Sequence, residues 1–129
     1  KGTINIMDDS AITQKKIKGA VTDLDTEIRF DVENKPGVSN LLGIYSAVTD
    51  RNIDDLVSEL SGKGYGDLKS VVADAVLAVI EPIRTKANEL LADKAELDRL
   101  LALGAERANA QAEQTLADVY DKTGFIPRK

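Results

Sequence analysis

The sequence contains no cysteine and no histidine in its 129 residues. Without cysteine the chain forms no disulfide and has no thiol nucleophile. Without histidine as well, it lacks the common zinc ligands and the base of a Ser-His-Asp triad. We therefore predict no catalytic residue and no cofactor in this chain. A magnesium site made of carboxylates is still possible. The paired acids at 8–9 and 54–55, however, lie where helices begin and oppose the helix dipole. We therefore predict no metal site.

Aromatic residues are scarce at 4%, and the net charge is -5, from 22 acidic and 17 basic side chains. The core must therefore be built from Ile, Leu, Val and Ala. A free-standing nucleic-acid binder usually has the opposite sign of charge, so contact with RNA would need a local basic patch. No apolar run approaches the roughly 20 residues of a membrane span, and no secretory leader is visible. We expect a cytoplasmic protein with no membrane partner.

Apolar residues recur at helical spacing along most of the chain and predict an all-α bundle of five to six helices. An alternating segment at 3–7 predicts a short extended N-terminal segment, and a second extended run is indicated at 27–32. Pro82 lies inside one of two long helices and is predicted to kink it without ending it, because the apolar stripe keeps its phase. The predicted helices span about 10–19, 37–49, 53–60, 67–92 and 94–123.

The apolar stripes of the two long helices are expected to bury each other, which makes Val76 and Leu101 core residues. Gly124 is predicted to end the second long helix, and Pro127 forbids its continuation. The stripes run from Leu68 to Leu91 and from Leu97 to Val119.

The segment "GKGYGDLK" at 62–69 resembles a phosphate-binding glycine loop at first sight. It fails the G-x-G-x-x-G fingerprint because Asp67 occupies the sixth position, and it has no Walker Gly-Lys-Ser/Thr string. A tight turn between two helices is the favoured interpretation, since glycine adopts positive φ without strain. The alternative is that Lys63 and Lys69, beside the start of the following helix, hold a phosphate.

Two other groups of basic residues could contact RNA phosphate. Arg84 and Lys86 follow Pro82, and together with Arg107 they would form a basic strip if the two long helices pack antiparallel. The lysine cluster at 15–18 is the rival group. A solvated surface is the simpler interpretation of both, because spacing alone makes neither specific.

The start of the helix predicted at 37–49 combines two helix breakers with two side chains that form caps. Gly37 permits close approach of another backbone, and the side chains at 39 and 40 can satisfy first-turn N–H groups or reach a neighbouring loop. Gly43, in mid-helix, costs about 1 kcal/mol against Ala, which suggests that another backbone packs there. The helix is therefore predicted to dock by its start through Lys35, Pro36, Gly37, Ser39 and Asn40.

Six segments, taken in order, resemble the C-terminal third of bacterial-type tryptophanyl-tRNA synthetases, and the resemblance covers essentially the whole chain. "NKPGVSNLL" and "GKGYG" carry most of its weight. Ser10 stands where many relatives have Pro, which should not alter the fold. The segments are "INIMDD" (4–9), "KKIKGAVTD" (15–23), "IRFD" (28–31), "NKPGVSNLLGIYS" (34–46), "GKGYGDLK" (62–69) and "GAERANAQAEQTLADVYDKTGF" (104–125).

The resemblance implies a class I ligase in which a Rossmann domain activates tryptophan with ATP and Mg, and a helical domain receives the tRNA anticodon. The HIGH-like and KMSKS signatures of that catalytic domain are absent here. We expect 1–129 to be a single helical domain of a longer synthetase, inactive alone, with 1–9 as the connector from the missing Rossmann domain. The start of the helix at 37–49 would then face an interdomain junction.

The partners implied by the resemblance are tryptophan tRNA, the Rossmann domain and a second copy of the intact enzyme in a homodimer. The alternative is a non-catalytic helical protein-interaction domain without RNA binding. The negative net charge favours the alternative, and the ordered set of segments favours the synthetase.

Overall fold

The structure, a computed structural model, describes residues 2–126, and these fold into five α-helices. The prediction of an all-α fold is confirmed, and the helices follow the predicted spans closely. Within the described range no strand is assigned, so 3–7 and 27–32 are irregular. None of these five helices combines the length and hydrophobicity needed to cross a bilayer. In chain order they are α1 (Ser10–Lys18), α2 (Pro36–Thr49), α3 (Ile53–Glu59), α4 (Tyr65–Ala92) and α5 (Lys94–Thr123).

Side-chain caps and glycines set the ends of these helices. Asn52 accepts a hydrogen bond at 2.8 Å from the backbone N–H two residues further on, which caps α3. Asp93 caps α5 in the same way, at 3.0 Å, through the N–H three residues further on. Gly62 (φ 77°) shapes the turn before α4, and Gly124 (φ 71°) ends α5. Those predicted boundaries are confirmed, whereas Pro127 lies outside the described residues.

The chain separates into two compact units, 1–86 and 87–129. Pro82 lies within α4, and the helix continues past it as predicted. The kink predicted there, and the interpretation of 1–129 as one domain, stay predictions.

The core lies in the first unit and is almost entirely aliphatic, as the low aromatic content requires. Helices α1 to α4 each contribute to it, and the apolar stripe of α4 is buried from Leu68 to Val76. Val76 is therefore confirmed as a core residue. The buried apolar side chains are Ile17, Ile28, Val38, Leu41, Leu42, Tyr45, Leu56, Leu60, Leu68, Val72, Ala73 and Val76.

The apolar stripe of α5 is exposed, contrary to prediction. No residue of α5 is buried, and Leu101, predicted to be in the core, is 62% exposed. The prediction failed because periodicity reports which residues share a face and not whether anything covers that face. Between 104 and 112 the face consists of Gly and Ala, whose small apolar area provides little gain from burial.

Val76→Asp should unfold the first unit, whereas Leu101→Asp should leave the chain folded. Val76 is 3% exposed, and an unpaired carboxylate buried there costs several kcal/mol. Leu101 already lies in solvent, so the same substitution adds no buried charge. Urea unfolding followed by far-ultraviolet circular dichroism should lose its cooperative transition only for Val76→Asp. Equal loss in both variants would mean that the α5 stripe is buried in solution.

Candidate functional site

A buried ammonium group holds the start of α2. Lys35 is 3% exposed, and its Nζ donates hydrogen bonds to Asp25 at 2.8 Å, to Asp23 at 3.3 Å and to the Tyr65 hydroxyl at 2.8 Å. The Tyr65 hydroxyl in turn donates to Asp23 at 2.6 Å. This cluster joins the irregular segment 20–31 to the first residues of both α2 and α4.

The four groups of this cluster shift one another's proton affinities. The hydrogen bond from Lys35 is the largest influence on Asp25 and lowers its pKa to about 2. The hydrogen bond from Tyr65 is the largest influence on the pKa of Asp23, which is also lowered. Burial alone would lower the pKa of Lys35, but the hydrogen bonds to Asp25, Tyr65 and Asp23 outweigh it and raise the pKa. Lys35 is therefore a permanent cation with a structural role and cannot serve as a base at neutral pH.

Two more contacts bring the segment 20–31 against the start of α2. A Cβ atom placed on Gly37 would overlap the carbonyl oxygen of Val21, so only glycine lets the two backbones approach. The Ser39 hydroxyl accepts a hydrogen bond at 2.8 Å from the backbone N–H of Asp31. The helix does dock by its start, but against a segment of this chain. A role of this surface at an interdomain junction stays a prediction.

The other residues predicted at this start do not join the buried cluster. Pro36 and Asn40 are exposed. Within the described residues nothing lies within 4 Å of a Cβ placed on Gly43, so the predicted backbone contact there is wrong for this chain. Gly43 instead lines a shallow hollow of about 470 Å³ together with Phe30, Val32 and other mainly apolar residues.

The glycine-rich turn at 62–69 gives little support to a phosphate site. The Asp67 carboxylate already accepts the backbone N–H of Gly64 at 3.1 Å, which places a negative charge at the start of α4. Lys69 donates to the Thr22 hydroxyl at 3.3 Å. Lys63 is exposed beside a groove of about 620 Å³. The turn interpretation agrees with the structure, and the phosphate site stays a prediction.

Arg84, predicted to contact RNA, binds the segment that precedes α1. Its side chain is 16% exposed; one guanidinium nitrogen donates to the backbone carbonyl of Asp8, and another donates to the Ser10 hydroxyl at 2.7 Å. Lys86 follows in the same unit, whereas Arg107 is exposed and belongs to the second unit. RNA contact by these three residues stays a prediction, and Arg84 has a structural role that sequence reasoning missed.

The lysine cluster at 15–18 is also partly engaged within the chain. Lys16 donates to the backbone carbonyl of Thr3 at 2.9 Å and forms an ion pair with Asp8. The hydrogen bond from Lys16 is the largest influence on Asp8 and lowers the pKa of its carboxyl group. Lys15 and Lys18 are exposed. No sequence pattern marks which member of such a cluster is engaged.

Comparison with known proteins identifies the class. Residues 1–81 match the model of the family described as class I tRNA synthetases (W and Y). The chain therefore belongs to that family of class I tRNA synthetases. Its fold is similar to that of tryptophanyl-tRNA synthetase from Mycoplasma pneumoniae in a crystal structure, with a TM-score of 0.78 and 30% identity, over 94% of this chain and 37% of that chain.

Two similar relatives are tryptophan-tRNA ligases. The chain is 56% identical over 126 residues to the tryptophan-tRNA ligase of Corynebacterium efficiens and 52% identical over 128 residues to that of Mycobacterium leprae. These alignments cover 98% and 99% of this chain but only 36% and 37% of the relatives. The chain thus spans little more than a third of their length and matches their C-terminal part. The predicted resemblance is confirmed.

Gly37→Ala should destabilise the chain, whereas Gly43→Ala should stabilise it. Both glycines lie in α2, but a methyl group at Gly37 overlaps the Val21 carbonyl while Gly43 faces open space. We expect a loss of about 2 kcal/mol or more for the first and a gain of about 1 kcal/mol for the second. Urea unfolding measures both. A destabilised Gly43→Ala variant would show that another backbone does pack there.

Asp25→Asn should lower the free energy of unfolding at neutral pH and should have a much smaller effect in acid. The pKa of Asp25 in the folded chain, about 2, lies below the roughly 3.9 of an unfolded chain. Its contribution is therefore present above about pH 4 and is lost as the pH falls towards 2. Urea unfolding from pH 7 to pH 2 should show the difference between wild type and Asp25→Asn shrinking across this window. Asp74→Asn, at an exposed position of α4, is the matched control, and a difference for Asp25→Asn that stays constant with pH would refute the assignment.

Proposed function

We propose that this chain is the helical, anticodon-recognising domain of a tryptophan-tRNA ligase, which as a longer protein attaches tryptophan to its tRNA with ATP and Mg. The strongest support is that nearly the whole chain matches about a third of the length of enzymes that carry that name. The remaining length would contain the catalytic Rossmann domain. The intact enzyme would form a homodimer.

The composition supports a division of labour between the two parts. The chain has no His, no Cys and neither signature of a class I catalytic domain. Activation of tryptophan therefore belongs to the other part of the enzyme, and this chain alone should be inactive. This chain contributes tRNA binding at a distance from the catalytic centre.

The exposed surface of α5 supports a role in binding a macromolecule. It is a helix of 30 residues with no buried side chain, and Arg107 is exposed on it. A guanidinium can bond a phosphate bidentately or stack on an unpaired base. Arg107 is therefore the first candidate for tRNA contact, with Lys63, Lys69 and Lys86 as further candidates.

A protein-interaction domain without RNA binding is the second candidate. The exposed leucines of α5, Leu101 and Leu116, favour it because exposed apolar side chains on one helix are typical of surfaces that bind proteins. The net charge of -5 favours it as well. The two candidates differ in whether the chain binds tryptophan tRNA in preference to other tRNAs.

Arg107→Glu should weaken binding of tryptophan tRNA, whereas Lys122→Glu should not. Both changes reverse one charge at an exposed position of α5, so bulk charge is matched. Loss of one phosphate contact on a single strand should reduce the slope of log affinity against log salt by about 0.7. Gel shifts with tryptophan tRNA and a noncognate tRNA over a salt series measure this. In the longer protein, aminoacylation should weaken while tryptophan-dependent pyrophosphate exchange is unchanged. Absence of a shift with either tRNA for the wild type would support the second candidate, and equal shifts with both would contradict specific recognition of tryptophan tRNA.

A further inference from the structure

Two cations from different helices hold the segment that precedes α1. Lys16, on α1, reaches back to the carbonyl of Thr3 and the carboxylate of Asp8. Arg84, near the end of α4, reaches the carbonyl of Asp8 and the hydroxyl of Ser10. All these groups lie within the first unit. Residues 3–9 belong to no helix or strand, and these side-chain contacts hold them together with Ile4, which packs against the core.

Ser10 connects Arg84 to a carboxylate. Its hydroxyl accepts a hydrogen bond from Arg84 at 2.7 Å and donates one to Glu81 at 2.6 Å. Glu81 also lies 3.7 Å from the Arg84 guanidinium. Hydrogen bonds to an ionised group are shorter and stronger than neutral ones. Two of the guanidinium N–H groups have acceptors within this chain, and the Arg84 side chain is only 16% exposed.

We propose that Arg84 is a positioning residue: its guanidinium clamps residues 8–10 to α4 and so fixes the direction in which the preceding part of the longer protein joins this chain. This inference rests on the proposed function, with the catalytic part on the N-terminal side of this chain because the chain matches the C-terminal part of its relatives. The tRNA bound to this chain must bring its acceptor end to a reaction centre in that other part. A clamp at the connection sets this distance and angle.

The clamp and a direct RNA contact predict different kinetics. A misplacement of about 1 Å far from the chemistry can slow a reaction by up to about 100-fold without weakening binding. Loss of a positioning residue therefore lowers kcat for aminoacylation and leaves the KM for tRNA unchanged. Loss of a phosphate contact raises the KM for tRNA and reduces its salt dependence.

Variants of Ser10 separate the two roles, because Ser10 carries no charge that could attract phosphate. Ser10→Ala removes the hydroxyl that links Arg84 to Glu81. Ser10→Pro removes it too and should keep the backbone, since residue 10 is the first of α1, where Pro is favoured. Asp9 has φ -59° and ψ 150°, the conformation that a following Pro requires.

The first experiment uses this chain alone and measures amide hydrogen exchange. Arg84→Met should speed exchange of the backbone N–H groups of Asp8 and Thr13, which bond within this segment, by about tenfold through local opening. Amides of α3 should be unchanged. Ser10→Ala and Ser10→Pro should produce a smaller increase at the same positions. Unchanged exchange in all three variants would overturn the clamp, whatever the function of the longer protein.

The second experiment uses the longer protein. Arg84→Met should lower kcat for aminoacylation of tryptophan tRNA by about tenfold, with little change in the KM for tRNA or in pyrophosphate exchange. Arg84→Lys keeps the positive charge and can donate one of the two hydrogen bonds, so its kcat should lie between those of Arg84→Met and the wild type. Lys122→Met is the matched control. A raised KM for tRNA with unchanged kcat would show that Arg84 contacts RNA instead. A wild type that charges no tRNA would refute the proposed function. The hydrogen-exchange experiment would still test the clamp in that case.

Discussion

The first unit depends on one buried cation, the Lys35 ammonium group. An ammonium without partners is very costly to bury, and here Asp23, Asp25 and Tyr65 supply its acceptors. Because two acceptors lie on the irregular segment 20–31 and the third is on α4, the requirement to satisfy one charge fixes three parts of the chain. The close approach of Val21 to Gly37 is part of the same arrangement. A segment with no strand or helix of its own is therefore held in one conformation.

The sequence alone predicted where the helices lie but not which of their residues are buried. Apolar spacing and the glycine at 124 are local signals, and they predicted all five spans closely. Burial of Lys35 was not predictable, because its carboxylate partners lie 10 and 12 residues earlier and neither shares a periodic pattern with it. The errors at Gly43 and Leu101 have one cause: both positions were predicted to be covered, and a pattern shows which face a residue occupies and not what covers that face.

Contacts made within the chain limit which of its basic side chains could bind RNA. Lys35, Lys16 and Arg84 are each paired with carboxylates or carbonyls of this chain. These pairs stabilise irregular segments near the starts of α1 and α2. Cations used in this way add little to an RNA-binding surface. Any such surface must therefore be built from exposed cations such as Arg107, and counting charges in the sequence cannot separate the two groups.

The two units keep their helices by different means, and this bears on function. In the first unit, α1 to α4 are held by burial of aliphatic side chains. In α5 no side chain is buried, so its stability comes from local terms: the Asp93 cap, the two hydrogen bonds from Arg99 to Glu96 at 2.7 and 2.8 Å, and the Gly124 terminus. Isolated helices shorter than roughly 12–15 residues are marginally stable in water, and α5 is well above that length at 30 residues. A helix that does not need burial to stay folded can present its whole surface to a partner. Under the proposed function, this exposed surface would be available for contact with tRNA.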